Sequence, residues 1–572
     1  MYTTSTAILE ALREAGIEYL FANLGSDHSG FIESLAAAAD AGEEQRFPKL
    51  ITCPHEMVAL SAAHGYAQAS GRAQAVLVHV ECGTQNLGGA VHNAAKGRVP
   101  VIILAGTSPA TQEGEAPGSR NEFIHWIQDV YDQRGIVRGY VRYENEIRVG
   151  ANAKQIVRRA LQFATSEPQG PVYVTAAREI LEAEVPRTQL DPEQWPSLAP
   201  GALSGEDAAL IARALATARR PLIVTSYLGR RREAVAPLER LCTRLGIGVL
   251  ESVPNHVNFP RDHPLYQGSQ WNEKQQNTAL AEADTILVID SDVPWIPQLN
   301  HPRADARILH IDIDPLKAQM PLWYIHARHA CRADAATALR QIEQQLDGLD
   351  VDAAAVRERT AHYGKRHAQR AEALRRAEQA SHSELGVEFL TAAIREAIGP
   401  EAVVLSEGVT NFHHIIDHIG RVHPGTLFSS GGGSLGWNGG AAVGAKLALP
   451  EQLVVALTGD GSYLFSVPAS VHWMAKRYRT PFLQVIYNNQ GWRAPKFSTL
   501  GVHPHGHASR AAQLGVSFDP PPDYAGIAAA AGGALALSVK RPEELEPALE
   551  RALHAVRHES RCAVIDAWLP HL

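Results

Sequence analysis

The segment from Gly459 to Asn489, GDGSYLFSVPASVHWMAKRYRTPFLQVIYNN, constrains the fold more than any other part of the chain. Ahead of it, Leu453, Val454, Val455, Ala456 and Leu457 form an apolar, β-branched run of buried-strand length. Gly459 and Gly461 stop that run with residues that accept unusual backbone angles. Apolar residues recur at helical spacing over 467–478, Arg479 and Thr480 end the pattern before Pro481, and 482–487 reads as the next buried strand. A strand, a helix and a strand in that order predict a parallel pair whose carboxyl ends lie side by side. Asp460 and Asn489 then project from one sheet edge into one crevice. A carboxylate and an amide oxygen there suit a hard cation such as Mg²⁺, which shares its oxygen ligands with phosphates. The glycines let backbone N–H groups approach those phosphates. A tight turn followed by a strand-ending Asn pair accounts for the same residues without a ligand.

The βα alternation extends through the chain, which at 572 residues divides into about three to four domains by size. Over 1–185, helical patterns at 6–15, 31–39, 57–70 and 85–95 alternate with strand patterns at 19–24, 75–80, 99–105 and 171–174. That predicts a doubly wound parallel sheet. Four prolines between 186 and 202 mark a linker. A second α/β unit follows over 203–345, with strands expected at 221–225, 248–250, 285–289 and 307–313. Residues 352–380, rich in Ala, Arg and Glu, read as an exposed connecting helix. The third α/β unit, 383–572, contains the opening segment. The expected fold class is α/β, with three doubly wound parallel-sheet domains.

A net charge of −8 without basic blocks argues against nucleic acid or an acidic membrane surface as a partner. Five scattered cysteines indicate neither a disulfide framework nor a paired-cysteine metal site, and fit a reducing cytoplasm. The N-terminus has no secretory pattern, and no apolar run reaches membrane-spanning length.

Two further stretches join the opening one. Thr52-Cys53-Pro54-His55-Glu56 precedes an Ala-rich helix ending His64-Gly65-Tyr66-Ala67-Gln68-Ala69-Ser70-Gly71, and Ser429-Ser430-Gly431-Gly432-Gly433-Ser434-Leu435-Gly436-Trp437 precedes the Gly459 strand. Taken alone, Glu56 is a carboxylate favoured by the helix dipole, and Leu435 is a core residue beside packing glycines. Together with GDG and NN, however, these motifs resemble the thiamine diphosphate-dependent decarboxylase and acetolactate synthase-like family. The likeness covers nearly the whole chain, in the order pyrimidine-binding, central and diphosphate-binding domain. It implies that Glu56 hydrogen-bonds the aminopyrimidine ring and promotes deprotonation of the thiazolium carbon. It also implies that Gly433 offers a carbonyl to the cofactor and Leu435 holds it bent. Glu407, Gly408, Val409 and Thr410 form a strand-to-helix turn whose amides face diphosphate oxygens, with Gly459, Gly461, Ser462 and Asn489 beside them. Asp460, Asn489 and Gly491 are the implied ligands of Mg²⁺. The cofactors the resemblance implies are thiamine diphosphate and Mg²⁺, and the assembly it implies is a homodimer or homotetramer whose sites lie between subunits.

Within that family the local likeness is closest to benzoylformate decarboxylase. Ser26 falls where that enzyme has a pocket serine, and His79 where it has a catalytic histidine. An imidazole suits the protonation of an enamine formed by decarboxylation of a 2-oxo acid, although a hydrogen-bonded structural histidine reads the same way. His28, Glu81 and the 503–507 loop are further candidates for the pocket. Two features depart from the family pattern. Glu81-Cys82-Gly83 replaces a turn with two glycines, and the spacing from GDG to NN is about two residues longer. The main expectation is a decarboxylase acting on a small 2-oxo acid. The alternatives are a carboligase of the acetolactate synthase type and a non-catalytic cofactor-binding subunit.

Overall fold

In the computed structural model, which describes all residues except 1, 273–274, 324, 380–383, 512 and 572, three six-stranded parallel sheets carry the chain. The N-terminal unit supplies β1 (Tyr19–Ala22), β2 (Lys49–Thr52), β3 (Gln74–Val78), β4 (Val101–Thr107), β5 (Glu144–Ile147) and β6 (Val172–Ala177). The middle unit supplies β7 (Pro221–Thr225), β8 (Gly248–Ser252), β9 (Tyr266–Gln270), β10 (Thr285–Ile289), β11 (Arg307–Asp312) and β12 (His329–Arg332). The C-terminal unit supplies β13 (Val403–Glu407), β14 (Leu427–Phe428), β15 (Val454–Gly459), β16 (Leu483–Asn488), β17 (Leu535–Val539) and β18 (Ala563–Trp568).

The strand orders are β2-β1-β3-β4-β6-β5, β12-β11-β10-β7-β8-β9 and β14-β13-β15-β16-β18-β17. The outer sheets therefore share one topology, in which β1 corresponds to β13 and β3 to β15. In each of them the winding reverses between those two central strands. The crevice at the carboxyl ends of such strands is where open α/β sheets bind ligands. The loops leaving β1 and β3 carry Ser26, Asp27, His28 and His79, while those leaving β13 and β15 carry Val409, Thr410 and Asp460.

The expected βα alternation is present, with instructive differences. Strands β2, β5, β9, β12, β14, β17 and β18 escaped the sequence reading. All but β18 are sheet edges, and an edge strand needs no continuous apolar run of the kind that marks a central parallel strand. The helix expected over 467–478 is present as Pro468–Arg477, and a further short helix, Asp460–Phe465, precedes it, separated by Val467 with φ 54°. Strand β3 stops at Val78, so His79 is the N-terminal cap of the short helix Val80–Asn86. The connecting helix Ala353–Ala377 is less exposed than expected, because Arg359 and Tyr363 are buried. Arg359 Nη1 donates to the Ala218 carbonyl at 2.8 Å and Tyr363 Oη to that of Pro221 at 2.8 Å, fastening the helix to the middle sheet. All five cysteines are free. Among the described residues no helix is long and apolar enough to cross a membrane.

The outer units are joined by helix Glu56–Ser70 lying along helix Trp437–Ala448. Their facing side chains, among them Val58, Ala62, Tyr66, Trp437 and Ala441, belong to one hydrophobic core. Contacts advance together along both helices, from Met57 against Gly436 to Tyr66 against Gly444, so the helices run parallel with their N-termini at one end. Small residues permit the approach. A Cβ on Gly444 would lie 1.8 Å from the Ala62 carbonyl oxygen, and one on Gly65 would lie 2.2 Å from that of Ala441. Alanine in place of glycine favours an isolated helix by about 1 kcal/mol, but overpacking a closed interface costs about 1–3 kcal/mol. Gly444→Ala is therefore expected to lower the thermal unfolding midpoint despite its better helix propensity. An unchanged or higher midpoint by calorimetry would show that the interface is not closely packed.

Candidate active site

Strand β15 ends at Gly459, and the next residue, Asp460, opens a helix with its carboxylate buried. Asp460 Oδ1 accepts the Gly461 N–H at 2.7 Å and Oδ2 accepts the Gly491 N–H at 2.9 Å. Burial still outweighs these amides and pushes the Asp460 pKa up to about 6. The two asparagines ending β16 have separate duties. Asn488 Nδ2 donates to Asp566 Oδ1 at 2.9 Å, tying β16 to β18. Asn489 is also buried, and its Oδ1 has no hydrogen-bond partner. A desolvated carboxylate near its protonation point and an orphaned amide oxygen are what an oxygen-liganded cation would satisfy.

One cavity of about 290 Å³ is lined by Gly408, Val409, Thr410, Leu435, Gly459, Asp460, Gly461, Ser462, Asn489 and Gly491, all of them expected site residues. Val409 holds φ 33°, a strained value for a β-branched residue, at the turn leaving β13. Gly433 lies outside this cavity and lines a neighbouring one of about 600 Å³, which Val409 and Leu435 share. Leu435 thus stands between the two spaces.

The Glu407 side chain has a role the sequence reading did not assign. Its carboxylate accepts the N–H groups of Gly436 at 2.6 Å and Asn438 at 2.7 Å, at the start of helix Trp437–Ala448. Burial pushes its pKa up to about 8, against the pull of the Asn438 and Gly436 amides. Glu407 is engaged in anchoring the loop that carries Leu435. Asn93, which sequence reasoning missed, holds the same loop from the N-terminal unit. Its Oδ1 accepts the N–H groups of Gly433 and Ser434, both at 3.1 Å, and its Nδ2 donates to the Ser434 carbonyl at 2.8 Å.

In the N-terminal unit, Glu56 is the first residue of its helix, buried, and accepts a hydrogen bond from Asn86 Nδ2. A Cβ on Gly83 would come within 3.2 Å of Glu56 Oε1, so the one glycine left in Glu81-Cys82-Gly83 stands where the glutamate needs space. Glu81 itself bonds the neighbouring Cys82 Sγ, at 3.0 Å, and Gln85. The His503, His505 and His507 side chains are exposed.

The strongest pairing was not foreseen. Asp27, 2% exposed, places Oδ1 2.6 Å from His79 Nδ1, while its Oδ2 accepts the Val80 N–H at 3.2 Å. Burial draws the His79 pKa down, but the hydrogen bond and charge of Asp27, helped by Gln128, leave it above the ordinary histidine value. Burial likewise raises Asp27, and the charges of His28 and His79 more than reverse that. Two glycines make room for the pair. A Cβ on Gly25 would meet His79 Nδ1 at 2.0 Å, and one on Gly106 would meet Asp27 Oδ2 at 2.0 Å. Ser26 Oγ lies 3.3 Å from His125 Nε2. His28 is fully buried, with Nδ1 accepting the Gly25 N–H at 3.0 Å and a pKa lowered by burial. It shapes the loop and is not an exposed pocket acid. The available signal for Asp27 was positional, since it stands in the loop after β1, next to the loop after β3.

The resemblance assigns the Glu56 and Leu435 halves to different subunits. Within this chain, the parallel helices already set Glu56 and the Leu435 loop at the same end, with Met57 against Gly436.

Comparison with known proteins agrees with this arrangement. Residues 2–136 match the N-terminal TPP binding domain of thiamine pyrophosphate enzymes, 208–342 their central domain and 409–567 their C-terminal TPP binding domain. The chain is 26% identical to sulfoacetaldehyde acetyltransferase from Castellaniella defragrans over 592 residues, covering 99% of this chain and 92% of that protein. It is 26% identical to benzoylformate decarboxylase from Pseudomonas aeruginosa over 588 residues, covering 97% and 98%. The thiamine diphosphate-dependent 4-hydroxybenzoylformate decarboxylase of Rhodococcus jostii RHA1 superposes with a TM-score of 0.78 at 21% identity, covering 100% of this chain and 99% of that one. With the three domain matches spanning the chain in the family's order, and the two halves of the site where that order puts them, this protein belongs to the thiamine pyrophosphate enzymes.

Proposed function

We propose that this enzyme cleaves a small 2-oxo acid without oxidation, releasing carbon dioxide and an aldehyde, with thiamine diphosphate anchored by Mg²⁺. The observation that carries this reading is His79 held by buried Asp27 in the same unit as Glu56. Loss of carbon dioxide from a 2-oxo acid consumes one proton at the former carbonyl carbon, and His79 is an imidazole held ready to give one.

The residues present fit both groups. Asp460, Asn489 Oδ1 and the Gly491 carbonyl would hold the cation. The amides of the turn after β13 and the Ser462 hydroxyl would hold diphosphate oxygens. Glu56 would exchange a proton with the pyrimidine ring, and Leu435, fixed by Glu407 and Asn93 through its loop, would set the cofactor's bend. When bound, thiamine diphosphate supplies the electron sink that the cleaved bond requires. The chain's own work is to orient the substrate, exclude water and deliver a proton from His79 Nε2.

Transfer of the same unit to a second carbonyl compound, as in a carboligase of the acetolactate synthase type, is the alternative, favoured by 24% identity to a probable acetolactate synthase large subunit of Methanocaldococcus jannaschii. It would use every residue named above. Assembly as a dimer or tetramer belongs to the same reading, supported by exposed Phe123, Trp126, Ile127 and Tyr131 in the segment after β4.

Turnover of pyruvate, benzoylformate and branched 2-oxo acids, with products resolved as aldehyde or hydroxyketone, tests the assignment. Absence of both products from protein that binds the cofactor would leave a binding subunit. His79→Ala is expected to lower kcat by about 10²–10⁴-fold with cofactor affinity retained; undiminished kcat would return His79 to a structural role. Glu56→Gln should slow exchange of the thiazolium proton, followed by NMR, by about 10²-fold or more. For Asp460→Ala, calorimetry in Mg²⁺ should show at least about 100-fold weaker cofactor binding, or about 2.8 kcal/mol. Equal affinity would remove Asp460 from the cation site.

A further inference from the structure

Both ring nitrogens of His79 face oxygen atoms. Nδ1 lies 2.6 Å from Asp27 Oδ1, and Nε2 lies 2.9 Å from Gln128 Oε1. The two partners differ in how firmly they are held. Asp27 sits beneath the loop after β1 with its second oxygen on the Val80 amide, and Gly25 and Gly106 leave no space for it or His79 to move. Gln128, in the segment between β4 and β5, is half-buried and tied through its backbone to Ile124 and Ser108, which leaves its side chain as the part that can turn away. The charged or titratable groups acting on His79 are Asp27, the His28 ring at 6.3 Å between centroids, and Glu56. Gln128 is uncharged. An ionised carboxylate only accepts hydrogen bonds, so the hydrogen of the Asp27–His79 bond belongs to Nδ1.

We infer that Asp27 is a positioning residue that keeps a hydrogen on His79 Nδ1 and makes Nε2 the nitrogen that exchanges protons, with Gln128 occupying the place the reacting carbon later takes. This rests on the reading that His79 is the proton donor. In the step itself, the Nε2–H bond breaks as a C–H bond forms at the substrate carbon. The imidazole is left neutral, with Nδ1–H still on Asp27, and Nε2 recovers its proton from water. The buried carboxylate does not exchange with the substrate. Its effect is to choose the tautomer and to keep the acid form populated above the pH at which a free imidazole loses it.

The test follows the protonation of His79 apart from turnover. Diethyl pyrocarbonate acylates neutral imidazole, and peptide mass spectrometry of the full-length protein reads His79 separately from the other histidines over pH 5–9. In wild-type protein the midpoint for His79 is expected above the ordinary histidine value, because Asp27 favours its charged form. Asp27→Asn should lower the midpoint, so that modification at pH 6 becomes several-fold faster, and Asp27→Glu should restore part of the shift. Gln128→Ala should speed modification by exposing Nε2 and lower the midpoint by less than Asp27→Asn does. An unchanged midpoint in Asp27→Asn overturns the inference. If that variant does not fold, a wild-type midpoint at or below 6.5 overturns it equally, and a wild-type midpoint that stays above 6.5 in Gln128→Ala supports it. If His79→Ala turns over normally while the Asp27→Asn midpoint moves, the reaction assigned to His79 falls and the positioning by Asp27 stands.

Discussion

The close parallel packing of helix Glu56–Ser70 on helix Trp437–Ala448 is the constraint on which the site depends. Helices that carry glycine at Gly65, Gly440 and Gly444 approach until backbone meets backbone, and interiors packed that closely pass on small displacements. Each helix begins with a residue the site uses, Glu56 on one and the Leu435 loop just ahead of the other. Fixing the helices against each other therefore fixes those groups. Glu407 and Asn93 complete the arrangement by holding the loop from two domains.

Desolvation is the second theme, and the site handles it in two ways. Asp27 is buried but compensated, because His79, His28 and the Val80 amide all favour its charge. Asp460 is buried with backbone amides alone, and its raised pKa shows that they do not suffice. A buried carboxylate with an adjacent unpartnered amide oxygen lacks a positive charge. The same physics thus gives one self-contained pair, suited to handling protons, and one incomplete pair, suited to a cation.

The shared strand order of the outer sheets explains why the halves resemble each other. In both, the functional loops leave the two central strands where the winding reverses. Asp27 and His79 in the first sheet stand where Thr410 and Asp460 stand in the third. The middle sheet has a different order, and charged and polar side chains cross-link part of its switch-point region. Tyr227 Oη donates to both oxygens of Asp312 at 2.7 Å, Lys317 Nζ reaches Asp312 at 2.6 Å, and Arg98 from the first unit forms two hydrogen bonds with Asp292.

Periodicity and local motifs determined the three α/β units, most of the central strands, Asp460 and Asn489 at one edge, and Glu56 at a helix start. Those features are written in contiguous residues, because a buried parallel strand needs an unbroken apolar run and a tight turn needs glycine. The tertiary structure decided what depends on neighbours distant in sequence. It separated Asn488, spent on Asp566, from Asn489, whose amide oxygen is unpaired. It turned Glu407 toward the Leu435 loop and buried His28 under its own turn. It also joined Asp27 to His79 across 52 residues of chain. A side chain's protonation and partner are set by burial and by groups brought in from other strands, and no local pattern encodes either.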